Sequence, residues 1–198
     1  MSDNNLRLWD KFCVTDPSKT KHVKYGARGF TSIDSMYQIK IATEEFGLYG
    51  EKWGFKNIEL DFSLENKGLV IFKGIFYYPN GEFPIINSIS FLIGKDRSKI
   101  DDDFAKKVET DALTKSLSKL GFNADVFEGK FDDSKYVEEL KNTFEDKEKA
   151  ALRKEILEKL LKSNLDNEAK ENTKKGLNTY SLKTLNQINE KLNEHISC

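Results

Sequence analysis

The chain has 198 residues, of which 38% are hydrophobic and 33% are charged. This length supports one well-formed core, or one core with a small appendage, and no apolar run approaches the ~20 residues that span a bilayer. The formal net charge is −1, from 32 basic and 33 acidic residues. A near-neutral total by itself argues against nucleic-acid binding, because such proteins are usually basic.

Cysteine and histidine are too few to predict a disulfide framework or a zinc site. The two cysteines, Cys13 and Cys198, stand at opposite ends of the sequence, and the two histidines have no ligand spacing. The first residues contain no apolar stretch typical of a secretory signal. We therefore expect a protein of the reducing cytoplasm that uses no metal and no other cofactor.

Basic residues gather in two stretches that the neutral total conceals. The first, between residues 18 and 30, holds four cations and no acid: Lys19, Lys21, Lys24 and Arg28. The second holds three cations interrupted by one acid: Lys95, Arg97 and Lys99. A basic surface is therefore compatible with a net charge near zero.

The chain up to residue 46 predicts two helices separated by an irregular segment. The first 29 residues are polar and are interrupted by proline and glycine, which predicts a short helix over residues 6–12 and then an irregular basic arm. Residues 33–46 predict a longer helix, with Ser32 or Thr31 as its N-cap. Gly47 is expected to end that helix.

Three strands are predicted next, over residues 53–62, 69–78 and 83–93. The second is rich in β-branched and aromatic residues. The segment Pro79-Asn80-Gly81-Glu82 predicts a tight turn after it, because Asn-Gly tolerates the positive φ of such turns. Apolar and more polar positions alternate along the third strand, which predicts a sheet covered on one side. Its inward positions are Phe83, Ile85, Asn87, Ile89 and Phe91.

A linker over residues 94–100 leads to a long helix from about residue 101 to 120. Three consecutive carboxylates, Asp101, Asp102 and Asp103, suit the positive end of a helix dipole, so we interpret them as a helix start and not as a metal site. Gly121 ends the predicted helix. Its buried stripe is predicted to be Ala105, Val108, Ala112, Leu113, Leu117 and Leu120.

The predicted fold class is α+β with a helical C-terminal region. Residues 1–132 form the first domain: a helix, a three-stranded antiparallel β-sheet and a long helix, preceded by the basic N-terminal arm. Residues 133–198 form the second region, because aromatic residues become rare after residue 131. There, residues 136–162 predict one or two charged helices, 164–173 a polar, mobile segment, and 181–196 another helix.

Two short motifs lie in a recognisable order within this arrangement. The helix at 33–46 ends in Ala42-Thr43-Glu44-Glu45-Phe46-Gly47, followed by Tyr49-Gly50 and Trp53, and the helix after the sheet carries Thr110-Asp111-Ala112-Leu113. Over about residues 30 to 122, this order resembles the Rad fifty-two family of single-strand annealing proteins, and more closely its phage-encoded relatives of the Sak type. The stretch over residues 124–136 is also typical of phage members.

The resemblance implies an oligomeric ring that holds single-stranded DNA in a basic groove and anneals it to a complementary strand. Such a protein is not an enzyme that breaks bonds, and it needs no nucleotide. It would act in phage or prophage homologous recombination and DNA repair. The C-terminal helices are then expected to dock a single-strand binding protein or a phage exonuclease, or to regulate the ring.

The DNA contacts implied by the resemblance match this sequence only in part. Of three basic residues in the family's last helix, the first falls on Thr114, the second on Lys115, and the third on Ser118 with Lys119 beside it. An arginine of the family's first helix falls on or near Tyr37. A lysine assigned to a second DNA path falls on Lys95.

The clusters and the resemblance together give one predicted set of DNA-binding residues. Phosphate contacts from lysine and arginine make binding salt-dependent and carry no base information. Lys115 and Lys119, four apart on a helix, are expected to line a groove, the arm cations to form a second rail, and tyrosines 25, 37 and 49 to stack bases. The set is Lys21, Lys24, Arg28, Tyr37, Lys40, Lys95, Arg97, Lys99, Lys115 and Lys119.

Other functions stay open at this stage. A passive single-strand binder would use the same groove. A phage protein that acts on a host factor is favoured by the neutral charge and by Thr114 and Ser118, which replace basic residues. Glu59, Asp61 and Lys73 are the residue types of a nuclease site, but no acid-x-lysine strand motif accompanies them, so no catalytic residue is predicted.

Overall fold

The computed structural model of the chain describes residues 4–25, 28–94 and 96–195. The chain divides into two compact units, Met1–Asp133 and Ser134–Cys198. The predicted α+β class is confirmed, because the first unit contains a three-stranded antiparallel sheet with helices and the chain continues into a long helix and two further helices. Among the described residues, no helix has both the length and the apolar character to cross a membrane.

The N-terminal segment is more ordered than the sequence predicts. Helix α1 (Arg7–Phe12) is confirmed, but the predicted irregular arm contains a hairpin in which β1 (Thr20–Tyr25) pairs with β2 (Arg28–Ile33). The prediction was wrong because β1 places Val23 among threonine, histidine and lysines, so no alternation of apolar and polar residues marks the strand. Backbone hydrogen bonds hold this hairpin more than burial does, and they leave no hydrophobic period in the sequence.

Helix α2 (Ser35–Phe46) begins two residues later than predicted. Its N-cap is Asp34, whose carboxylate accepts hydrogen bonds from the backbone N–H groups of Met36 and Tyr37. Ser32 and Thr31, the predicted caps, belong to β2. Gly47 ends the helix as predicted and has a φ of +98°.

The sheet has the order β3 (Gly54–Asp61), β4 (Leu69–Tyr78) and β5 (Gly81–Ser90). Tyr78 lies opposite Gly81, so Pro79 and Asn80 form the predicted turn. The turn does not use positive φ: within the described residues, neither Asn80 nor Gly81 is among those with positive φ. The predicted alternation along β5 is confirmed, with Ile85 and Asn87 buried and Ile86 exposed.

The third strand ends before residue 93, and the predicted linker is partly structured. Leu92–Ile93 (β6) pairs with Lys99–Ile100 (β7) in a short separate hairpin. Gly94, with a φ of +93°, follows β6 and lets the chain turn away from the sheet.

Helix α3 (Phe104–Lys119) packs across the sheet, and the short helix α4 (Ala124–Phe127) follows it. The predicted stripe of α3 is buried from Val108 to Leu117, but Ala105 is exposed. Ala105 stands in the first turn of α3. There the side chain that packs inward is Phe104, whose ring contacts Phe62 and Phe91 at the end of the sheet. The core of the unit joins α2, the sheet and α3 through Ala42, Phe46, Trp53, Phe76, Leu113, Leu117 and Phe122.

The acidic run before α3 is explained by the helix start itself. Asp103 is the N-cap residue, so α3 begins at Phe104 and not at residue 101. The Asp101 carboxylate accepts hydrogen bonds from the backbone N–H of Asp103 and from Lys107 Nζ, 2.7 Å away. These contacts lower the pKa of Asp101, chiefly through the hydrogen bond from Lys107.

The second unit contains α5 (Ser134–Lys162), α6 (Asn167–Gly176) and α7 (Leu182–Glu194). Most of the segment over residues 164–173, predicted to be polar and mobile, belongs to α6. Asp166 caps α6 by accepting a hydrogen bond from the Ala169 backbone N–H, a local signal that outweighs the weak apolar pattern. The unit's own core is Ile156, Leu160, Leu177, Leu185 and Leu192.

Candidate nucleic-acid interface

A row of charged residues runs along α3 beside the edge strand β5. It consists of Asp111, Lys115 and Lys119, each four residues from the next and therefore on one helix face. Lys115 Nζ donates to Asp111 Oδ2 and to Asn87 Oδ1, both at 2.7 Å. Lys119 Nζ lies 5.3 Å from the ring centre of Phe83. We call these three residues the α3–β5 row; it brings the predicted pair Lys115 and Lys119 together.

Lys115 keeps capacity for a ligand despite these contacts. Its ammonium has three N–H donors, and the two internal acceptors use two of them. The ion pair with Asp111 is exposed, with 47% of the lysine side chain accessible, so solvent weakens it. A phosphate can therefore approach Lys115, although Asp111 reduces the attraction.

A groove of about 730 Å³ runs between α3 and the β1–β2 hairpin. On the α3 side, Lys106, Thr110 and Thr114 again stand four residues apart and face it. Val126 and Phe127 of α4 close one part of the wall. The hairpin side is formed by Phe30, Thr31, Ser32, Ile33 and by Ser35 of α2.

The groove combines exposed aromatic rings with a lysine that has no carboxylate partner. Phe30 is 52% exposed and Phe127 is 49% exposed. Among the described residues, no carboxylate lies within 4 Å of Lys106 Nζ, whereas Lys107 in the same lining pairs with Asp101. Half-exposed rings are surfaces on which bases stack. An unpaired ammonium can donate hydrogen bonds to a phosphate. None of these four residues belongs to the predicted site.

The β1–β2 hairpin separates two cations of the predicted second rail. Successive residues of a strand point to opposite faces, so Lys21 and Lys24, three apart on β1, lie on opposite faces of the hairpin. Lys21 is opposite Ser32, a residue of the groove lining. The side chain of Arg28 and the whole of Lys95 lie outside the described residues.

The remaining predicted residues stand apart from the groove lining. Tyr37 and Lys40 border a separate hollow of about 420 Å³ on α2, where burial raises the pKa of the Tyr37 hydroxyl and Lys40 faces Glu44 at 3.9 Å. Arg97 Nη2 donates to Ser90 Oγ at 3.2 Å. Lys99 is exposed on β7. Neither the hollow on α2 nor the β6–β7 hairpin shares a lining residue with the groove.

Of the tyrosines predicted to stack bases, Tyr49 packs its ring edge against Trp53, with ring centres 4.8 Å apart. The Tyr25 side chain lies outside the described residues. Trp53 itself is fully buried and donates from Nε1 to the Gly47 carbonyl at 3.0 Å. Trp53 is therefore structural in this fold, whereas Tyr49 is 46% exposed.

A buried chain of hydrogen-bonded polar side chains lies behind the groove lining and reaches it at Thr114. We call it the buried polar chain; its members are Thr15, Asp125, Asn123, Gln38 and Thr114. The Thr15 backbone N–H and hydroxyl both donate to Asp125, the first over 2.9 Å. Asn123 Nδ2 donates to Thr15 Oγ1 at 3.0 Å, and Gln38 Nε2 donates to Asn123 Oδ1 at 3.1 Å. Thr114 Oγ1 completes the chain by donating to Gln38 Oε1 at 2.8 Å.

This chain links the N-terminal segment to α3 and α4, which both line the groove. Thr114 lines the groove directly, and Asp125 immediately precedes Val126 and Phe127, which also line it. Thr15, Asn123 and Gln38 are at most 1% exposed, and buried polar groups need such partners. The local sequence signal for the buried polar chain is Asn123, two residues after Gly121. Asparagine tolerates the left-handed backbone conformation that Asn123 adopts, with a φ of +56°.

No family model matches the sequence, and no curated protein matches it. The candidate interface therefore stands on its own residues: a groove with two open aromatic rings and Lys106, flanked by the α3–β5 row.

Proposed function

We propose that this chain binds single-stranded DNA along the groove and the α3–β5 row and anneals it to a complementary strand. It would do so as a homo-oligomer, in phage or prophage homologous recombination and DNA repair. The observation that carries the proposal is the groove itself, in which Phe30 and Phe127 present half-exposed rings near Lys106. The order of motifs that resembles the annealing proteins is independent support.

The chemistry of these residues fits a bound strand without sequence preference. Lys106, Lys115 and Lys119 supply point charges for phosphates, and such contacts hold any sequence equally. Rings accept any base, because every base has a stacking face. Bases that rest on half-exposed rings are accessible to a second strand, as annealing requires. Positioning alone accounts for this activity, so the proposal includes no bond-breaking step.

A phage protein that acts on a host factor is a second candidate, favoured by one observation. Lys107 and Lys115 are both ion-paired with carboxylates, Asp101 and Asp111, which lowers the positive potential of the interface. Equilibrium binding of a labelled single-stranded oligonucleotide at ~50 mM salt distinguishes the two candidates. We expect binding that weakens as salt rises. Undetectable binding under these conditions would favour the host-factor candidate.

Truncating the groove aromatics is expected to weaken binding of single strands. Phe30→Ala and Phe127→Ala each remove one stacking surface, worth about 1–3 kcal/mol of binding free energy per base. Both rings are half-exposed, so the fold should tolerate either change. Fluorescence anisotropy with a labelled oligonucleotide measures the effect.

Leu48→Ala is the matched control, because Leu48 is an exposed apolar residue outside the groove lining. It should leave the affinity unchanged. If the wild type and both phenylalanine variants bind the oligonucleotide with equal affinity, the groove is not part of the DNA interface.

A further inference from the structure

Within the described part of the first unit, α3 packs on one face of the sheet, and the other face carries exposed side chains. Side chains alternate along β4, so Val70, Phe72 and Phe76 are buried towards α3, while Ile71, Lys73 and Ile75 point to the other side. We call this side the open sheet face. Its other members include Glu82, Pro84, Ile86 and Ser88 on β5, and Lys56, Glu59 and Asp61 on β3, by the register of the strands.

Three isoleucines surround Lys73 on the open sheet face. Lys73 is paired with Ile86 across the strands, so Ile71 and Ile75, two residues to either side of Lys73, are the diagonal neighbours of Ile86. Ile86 is 70% exposed. A sheet face that is solvated on one side normally carries polar residues at these positions. A cluster of β-branched apolar residues there marks a contact surface.

Both edge strands of the sheet carry features that disfavour pairing with a further strand. Contact through the face of the sheet is therefore favoured over contact through its edges. On β3 the register shifts between Lys56 and Glu59, and Asn57 in that bulge has a φ of +55°. On β5, Pro84 lacks a backbone N–H. Bulges and proline are the features that protect edge strands from pairing with another chain. An open apolar face between two protected edges favours packing by the face.

The charges around the isoleucines indicate what covers them. Lys56, opposite Ile75, pairs with Glu82, and Lys73, between Ile71 and Ile75, pairs with Asp61 and Glu59. Two cations and three carboxylates repel a nucleic acid or an anionic membrane. Each ion-paired group, however, presents both signs, so a second copy of the same face offers an opposite charge for each. The face is thus complementary to itself in charge and in its isoleucines.

We propose that the open sheet face is a contact surface between copies of this chain. This inference rests on the homo-oligomer of the proposed function and names the surface that makes it. The contact buries the isoleucine cluster and leaves the groove, on the α3 side of the unit, free for DNA.

The test is Ile86→Asp, which places a charge in the centre of the cluster. Because Ile86 is exposed, the unit should fold, which an unchanged fluorescence spectrum of Trp9 and Trp53 will show. Light scattering of the wild type is expected to give a multiple of 22.8 kDa, and that of the variant a loss of mass towards a single chain. Ile100→Asp is the matched control, since Ile100 is 61% exposed on β7, away from the sheet, and it should keep the wild-type mass.

Two results would overturn the inference: a monomeric wild type, or an Ile86→Asp variant with the wild-type mass. Binding of a labelled oligonucleotide is measured on the same samples. If the variant loses mass and the wild type does not bind DNA, the contact surface stands and the proposed function fails. If the variant keeps the wild-type mass and the wild type binds DNA, the proposed function stands and the contact surface fails.

Discussion

Replacing Asp125 with alanine is expected to lower the free energy of unfolding of the first unit by about 2–4 kcal/mol. Asp125 is 2% exposed, and its carboxylate accepts the Thr15 backbone N–H, the Thr15 hydroxyl and the Val126 backbone N–H. The variant leaves these donors buried without an acceptor, which costs more than the hydrogen bonds contribute net. Asp125→Asn keeps one oxygen and should lose less.

Denaturant unfolding followed by tryptophan fluorescence measures this loss. Both tryptophans of the chain, Trp9 and Trp53, lie in the first unit, so their signal reports that unit and not the helices after it. Asp132→Ala is the control: Asp132 is exposed a few residues away, and its loss should change stability by less than about 0.5 kcal/mol. An Asp125→Ala variant as stable as that control would show that the buried polar chain does not hold the unit together.

Neutralising the three candidate phosphate contacts is expected to reduce the salt dependence of DNA binding. Each contact with a single strand contributes about 0.7 to the slope of log affinity against log salt, so the combined change of Lys106, Lys115 and Lys119 to glutamine should lower the slope by about 2. Affinity at low salt should fall with it. Anisotropy titrations at several salt concentrations give both quantities.

The matched control changes the net charge equally at a distance from the interface. Lys141, Lys154 and Lys162 are exposed residues of α5, in the second unit, and their combined change to glutamine should leave the slope within experimental error. If both triple variants lower the slope alike, the effect comes from the overall charge, and the groove and the α3–β5 row are not the binding site.

The parts of the fold that could be predicted are those with a strong local period. The alternation of β5 around Ile85 and Asn87, and the stripe of α3 from Val108 to Leu117, each place side chains on one face by sequence spacing alone. The β1–β2 hairpin escaped prediction because its strands are polar and half-exposed. Helix α6 escaped because its start depends on the Asp166 cap and not on an apolar face.

The candidate site was predictable only where its residues share one helix. Lys115 and Lys119 were found because residues four apart on a helix lie together. The groove, in contrast, joins Phe30, Lys106 and Phe127, which come from three distant segments. The contact between Thr15 and Asp125 spans 110 residues of sequence. No local pattern records such convergence; it follows from the packing of α3 against the sheet and the hairpin.

The rate at which two complementary oligonucleotides pair tests the central claim most directly. Donor and acceptor dyes on the two strands report pairing in a stopped-flow experiment at ~50 mM salt, with the Lys106, Lys115 and Lys119 triple variant as the comparison. We predict faster pairing with the wild-type chain than with the strands alone, and loss of that gain in the triple variant. Measurable binding with no gain in pairing rate would contradict annealing and leave a passive single-strand binder.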